Sequence, residues 1–269
     1  MTIKIAYTSD VHLEFGDMDL VNKDNADVLI LAGDICTPHY WNKNHNGSVR
    51  KMKDQQVAFF RRVSEQFPKI LYIAGNHEHY HGDVNETWKI LDAELSQFSN
   101  IIYGDKIVTA IDDVLFLGTT LWTDFDNNNP ISMSLAGGGM NDFRLVTNND
   151  DYFKPQDAYA IHQKDKEFLI ENLAYYADVK TKIVITHHLP SFQAIAPGFR
   201  DSRLNGAYAS DLDQFMNDWK VNYWIHGHSH PPLNMMVGDT RLLRKPRGYV
   251  GHEHSVAEDK NFKYGILEI

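Results

Sequence analysis

Six short apolar, β-branched runs constrain this chain most. They lie at Ile3–Tyr7, Val28–Ala32, Ile70–Ala74, Val114–Gly118, Ile183–Thr186 and Tyr223–Ile225. Each has the length of a strand and is apolar almost throughout, as in strands covered on both faces. Helical patterns lie between them. Val49–Phe67 carries Val57, Phe60, Val63 and Phe67 near helical spacing, Val84–Phe98 and Asp157–Ala177 read the same way, and Pro68 helps stop the first. Strands alternating with helices predict an α/β fold with buried sheets. From Pro231 to Ile269 the chain is strand-rich, with turn signals at Gly238-Asp239 and Arg247-Gly248 and a last strand at Tyr264–Ile269. Asp124–Pro155 is the least regular stretch, with Asn127-Asn128-Asn129-Pro130 and Gly137-Gly138-Gly139. It predicts a long loop acting as a flap or insertion within one domain spanning 1–269.

The 269 residues suffice for one large core, and 43% hydrophobic with 23% charged is ordinary globular composition. No apolar run approaches the ~20 residues of a membrane span. The first strand begins at once, without a signal segment, and Cys36 is the single cysteine, so no disulfide framework can form. A cytoplasmic location is expected. Acidic residues outnumber basic ones, 36 to 26. That balance, with no basic stripe, counts against a polymeric nucleic acid as partner, and a phosphate would need local positive charge to enter.

Metal-ligand residue types cluster just past the strand ends: Asp10 and His12, then Asp34 after Gly33, then Asn76, His77 and Glu78 after Gly75, then His187 and His188, then His228 and His230 after Gly227. Ligands of open α/β sheets bind outside the carboxyl ends of the strands. Five strand ends thus deliver carboxylate, imidazole and amide groups to one edge. In Asp10-x-His12 and His228-x-His230, an extended backbone would place both side chains on one face. The glycines would allow sharp turns and close approach. The mixed donor set suits Mn²⁺, Fe or Zn²⁺ better than Ca²⁺ or a thiolate-type zinc site. His39, His45, His81, His162, His252 and His254 read as structural, while His79 and His188 adjoin motif residues as candidate outer partners.

The ordered set Asp10-x-His12, Gly33-Asp34, Gly75-Asn76-His77-Glu78, His187 and Gly227-His228-x-His230 resembles the calcineurin-like metallophosphoesterase family in all five of its motif blocks. The resemblance implies two mixed β-sheets packed as a sandwich and flanked by helices. It implies two divalent ions, the first held by Asp10, His12 and His230, the second by Asn76, His187 and His228, with Asp34 bridging them. His77 would be the general acid, with Glu78 as its orienting partner. Asp34 is followed by Ile35-Cys36-Thr37, not by the Asp-Arg-Gly of the protein phosphatase branch. Trp122-Thr123-Asp124-Phe125, Met140–Arg144 and Pro246–Tyr249 look like segments of bacterial and phage-type small phosphohydrolases. Arg144, after a glycine-rich stretch, is a candidate phosphate contact.

The expected activity is hydrolysis of a phosphate monoester or diester of a small molecule or nucleotide, by a hydroxide shared between the metals, with His77 protonating the leaving oxygen. A nuclease or protein phosphatase is the alternative within the family. A non-catalytic scaffold on the same fold is the alternative of another class. Substrate, metal identity and oligomeric state are left open.

Overall fold

The computed structural model describes residues 2–41 and 47–269. His45 lies outside the described residues. Two mixed sheets form the centre. In the first, strands Lys4–Thr8, Val28–Ala32, Lys69–Ile73 and Ile101–Tyr103 run parallel in that order, and Gly265–Glu268 pairs antiparallel with Lys4–Thr8 at the edge. In the second, Val114–Thr119, Thr181–Ile185, Tyr223–Ile225 and Thr240–Arg244 run parallel, with antiparallel edges at Lys106–Ile111 and Leu233–Val237. The Gly238-Asp239 signal is the two-residue turn of the Leu233–Val237/Thr240–Arg244 hairpin, where Val237 pairs with Thr240.

The strand period of two decides which residues fill which layer. Ile5, Tyr7, Val28, Ile30, Leu71 and Ile73 point between the sheets, where they meet Phe116, Ile183, Ile185 and Ile225. The alternate residues Ala6, Leu29, Leu31, Ile70 and Tyr72 face the other way, onto Phe59, Phe60 and Val63 of helix Gly47–Gln66 and onto Leu91 and Leu95 of helix Thr87–Leu95. On the second sheet Leu115, Leu117 and Val184 pack against Leu169 and Leu173 of helix Pro155–Tyr175. The result is the sandwich of two mixed sheets flanked by helices. Residues on both faces of the central strands, such as Val28–Ala32 and Val114–Thr119, are buried, which is why those runs carry so few polar positions.

Residues 124–155 depart from the expected loop. Phe125–Asn128 is a left-handed turn, with all four φ values positive. Its Asp126-Asn127-Asn128 composition tolerates that region better than most. Pro130–Gly139 is a helix: the Asn129 side chain accepts from Ile131 N at 2.9 Å, and Pro130 takes the first helical position. The Asn-Pro pair is therefore a helix start rather than a loop signal. A short helix, Asp142–Leu145, and strands Val146–Asn148 and Asp151–Tyr152 follow. Gly82–Asp83 pairs with Val146–Asn148, tying this stretch to the segment after His77. Met133, Ala136, Met140 and Phe153 pack with Tyr80 and Trp122 in a core of their own.

Candidate metal centre

The ends of the parallel strands of both sheets deliver the clustered residues to one place. The loops are bonded to each other: Asp10 N donates to Gly33 O and His12 N to Asp34 O, both at 2.9 Å, and Gly227 N donates to His187 O at 3.0 Å. A Cβ at Gly75 would collide with the Asp34 carboxylate and the His187 ring, so close approach requires glycine there. The extended geometry expected for Asp10-x-His12 and His228-x-His230 is not what occurs. Asp10, His12, Asp34 and His228 all hold positive φ, between 49° and 66°. The loops turn at the donor residues themselves, and each such turn is strained for a residue with a Cβ.

The side chains nevertheless converge. His12 Nε2 lies 3.3 Å from His230 Nε2, and His230 Nε2 lies 3.7 Å from Asp10 Oδ1. Across the site, Asn76 Oδ1 is 3.0 Å from His187 Nε2 and 3.1 Å from His228 Nδ1. Asp34 Oδ2 stands between these groups, 3.3 Å from His187 Nε2 and 3.8 Å from His12 Nε2. Three sets of donor atoms gather closely enough to hold an ion: Asp10–His12–His230, His12–Asp34–His77 and Asp34–His187–His228. Donors ~2.1 Å from one ion stand roughly 3.0–3.4 Å apart at octahedral or tetrahedral angles, and the shorter of these separations match. His228 Nε2 is buried and has no hydrogen-bond partner among the described residues. The residues therefore fit divalent cations.

The electrostatics agree. Burial opposes ionisation of Asp34, but His187, His77 and His12 outweigh it and hold its carboxyl well below the usual range. Burial also opposes protonation of His187, yet Asp34 pushes it up to about 10. Carboxylates that hold protons so firmly on imidazoles would hold a cation in their place. His228 goes the other way: burial and His188 push it well below its ordinary value, as a neutral nitrogen donor requires.

Two expectations need correction. Glu78 does not touch the His77 ring. Its buried carboxylate accepts from Asp34 N at 2.9 Å, Ile35 N at 2.7 Å and Gly75 N at 2.7 Å, and from Tyr72 Oη at 2.9 Å. It holds two donor loops in register, because four orphan donors are a stronger demand than one ring nitrogen. The partner of His77 is Glu14: Glu14 Oε1 is 2.8 Å from His77 Nδ1 and 3.0 Å from His12 Nδ1. Arg144 is exposed and donates to Gly138 O on its own segment, away from the site. A helix start, not a swinging loop, sets its direction. His39 and His162 are structural, bonded to Thr87 Oγ1 and Leu121 O, each at 2.9 Å, and Cys36 is buried. His81, read as structural, lines the cavity described next.

A cavity of about 860 Å³ opens over the site, its floor including Asp34, Asn76, His77, His228 and His230. Tyr249 reaches in from the tail, its hydroxyl 3.4 Å from His77 Nε2. Arg247, two residues earlier, anchors this strap: it donates to Val11 O at 2.9 Å, Gly16 O at 2.8 Å and Asp17 O at 2.9 Å, and pairs with both oxygens of Asp259 at 2.7 and 2.8 Å. Glu253 on the same strap meets His230 Nδ1 at 2.6 Å. Glu14, Tyr249 and Glu253 were not read from the sequence as site residues. Tyr249 lay in the Pro246–Tyr249 segment that the resemblance singled out, and Glu14 stands two positions past His12; nothing in the sequence marked Glu253.

The family profile described as calcineurin-like phosphoesterase matches residues 3–232. The chain belongs to that family. A curated relative, uncharacterized protein L509 of Acanthamoeba polyphaga mimivirus, is 27% identical, over 93% of this chain and 92% of the relative. Among solved structures, the phosphopantetheinyl hydrolase of Mycobacterium tuberculosis matches with a TM-score of 0.65 at 13% identity, over 91% of this chain and 89% of that one. A dimetal phosphatase from Danio rerio matches with a TM-score of 0.52 at 13% identity, over 92% and 88%. These two likenesses show a shared fold. Among the described residues no helix is long and apolar enough to cross a membrane.

Proposed function

We propose that this member is a binuclear-metal phosphoesterase that hydrolyses a small phosphorylated molecule. The observation that carries the reading is the place of Asp34, whose carboxylate lies between the His12 and His187 imidazoles. Asp10, His12 and His230 would hold one ion, and Asn76, His187 and His228 the other, with Asp34 serving both. Mn²⁺, Fe and Zn²⁺ suit these donors. When bound, the ions supply positive charge for the phosphoryl oxygens and an activated water.

The chain's own residues do the rest. Glu14 Oε1 meets Nδ1 of His77, which fixes the proton there and turns Nε2 toward the cavity. Burial alone would lower the His77 pKa, but Asp34 and Glu14 push it up to about 9, so the ring carries a proton to give. His77 Nε2 would protonate the leaving oxygen. Tyr249 Oη, beside that nitrogen, would steady the same oxygen. Met140, Asn141, Asp142 and Leu145 line the cavity, and we assign the 124–155 segment the role of its substrate-selecting wall.

Hydrolysis of bis(4-nitrophenyl) phosphate by protein supplied with Mn²⁺ tests the reading. Metal-dependent turnover supports it. Tight binding of two ions without turnover of any phosphate monoester or diester would favour a non-catalytic role.

A further inference from the structure

A second groove, of about 400 Å³, adjoins the cavity over the metal centre, and the loop at 197–205 is the wall between them. Phe199 and Leu204 line the metal-centre cavity, Arg200 and Arg203 line the groove, and Ser202 and Asn205 line both. The loop is held in place. The Asn205 amide nitrogen donates to Phe199 O and to Arg200 O, both at 2.9 Å, and Ser202 N donates to Phe199 O at 2.9 Å. A Cβ at Gly206 would collide with Ser132 Oγ, so glycine lets the loop close on the 124–155 segment.

Arg200 and Arg203 are exposed, and neither guanidinium has an ion-pair or hydrogen-bond partner among the described residues. Carboxylates stand near: Asp201 lies between the two in sequence and Asp126 lines the same groove, yet neither pairs with them. Arg62 and Arg247, by contrast, are matched by Asp17 and Asp259. In a chain of formal net charge −10, two unmatched guanidiniums on one groove wall make a local positive field. The planar donor fork of arginine suits phosphate, and the roughly two charges of a terminal phosphate match two guanidiniums. The metal-centre cavity, at about 860 Å³, exceeds what a phosphoryl group needs, so a bound substrate extends beyond the scissile group.

Resting on the phosphoesterase reading, we propose that the groove is a second anion subsite and that the substrates are phosphoesters carrying a further phosphate. Arg200 and Arg203 take the distal phosphate while the scissile one sits at the metal centre. The body between them crosses the wall beside Phe199 and Leu204, whose side chains favour an apolar or flat stretch there.

Calorimetric titration of the Mn²⁺-loaded full chain with phosphonates tests this without turnover, because their carbon–phosphorus bond is not hydrolysed. The probes are the terminal bisphosphonates of propane, hexane and decane, each against the matching alkyl monophosphonate. Hydrogen bonds to charged groups are worth about tenfold or more in affinity, so at least one bisphosphonate should bind about tenfold tighter than its monophosphonate. That advantage should depend on chain length, since the tether must span both sites. Arg200→Ala and Arg203→Ala should each cut it to under about a third of its parent value, and the double variant Arg200→Glu, Arg203→Glu should abolish it. No length-dependent advantage in the parent, or an advantage that either alanine variant keeps, overturns the proposal. Absence of bis(4-nitrophenyl) phosphate turnover in the parent, with the advantage present there and lost in the variants, would reject the phosphoesterase reading and leave a site for two linked anions.

Discussion

Glu14 Oε1 lies 2.8 Å from His77 Nδ1 and 3.0 Å from His12 Nδ1, so one largely buried carboxylate orients both a proposed ligand and the proposed acid. Burial would raise its pKa, but the two imidazoles hold it down at about 2. Glu14→Gln keeps the shape and removes the charge. Loss of an outer partner of this kind typically costs ~10–100-fold. The expected result is a kcat loss in that range on an alkyl phosphoester, a smaller loss on a nitrophenyl ester, and little change in KM. Equal losses on both esters would make Glu14 merely structural.

His77 itself makes the leaving-group argument sharper. A nitrophenolate departs without a proton, whereas an alkoxide needs one. His77→Ala should lose ~10²–10⁴-fold on an alkyl or nucleoside ester, much less on a nitrophenyl ester, and keep its metal. Its Nε2 is 3.9 Å from Asp34 Oδ2, close enough that a ligand role is the competing account. Metal loss with equal damage to both substrates would support that account instead.

Arg247 carries the strap that brings Tyr249 and Glu253 to the site. Arg247→Ala strands three backbone carbonyls and the Asp259 carboxylate. Leaving a buried acceptor such as Val11 O unsatisfied costs about 1–3 kcal/mol. Denaturant unfolding should show a loss of that order, while Arg144→Ala, whose side chain is exposed, should change stability and turnover little.

Away from the metal centre, Asp165 gives a pH signature. Burial and the Asp105 charge push it up to about 7, against a pull down from Lys106, whose Nζ is 3.6 Å away. Unfolded, it titrates near ~3.9. Between these values the folded state holds the extra proton, so stability falls as pH rises from about 4 to about 7, by at most ~1.4 kcal/mol per unit. Asp165→Asn can still accept from Leu121 N, to which Oδ2 lies at 2.9 Å. The parent should lose stability relative to this variant across that window. A parent-to-variant difference constant with pH would contradict the assignment.

The strands were legible because burial on both faces writes itself as unbroken apolar runs. Val28–Ala32 and Tyr223–Ile225 fall where the pattern puts them. The clustered donors were legible because strand ends converge by topology. Three things were not. The positive φ of Asp10 and His12 leaves only a weak mark on residue type: Asp and His enter that region more readily than most residues, but neither type requires it. The partner of His77 depends on which of two glutamates the fold brings to Nδ1, and Glu78, though adjacent in sequence, is taken up by backbone N–H groups. Asn129-Pro130 reads equally as a turn or a helix start, and only the Pro130–Gly139 helix decides between them.

The central claim is that Asp34 serves two ions. Elemental analysis of Mn²⁺-loaded, desalted protein tests it most directly, in the parent, in Asp34→Asn and in His12→Ala. The account predicts two ions per chain in the parent, about one in His12→Ala, and weakening of both sites in Asp34→Asn. One ion or fewer per chain in a fully active parent, or two ions retained in Asp34→Asn, would contradict it.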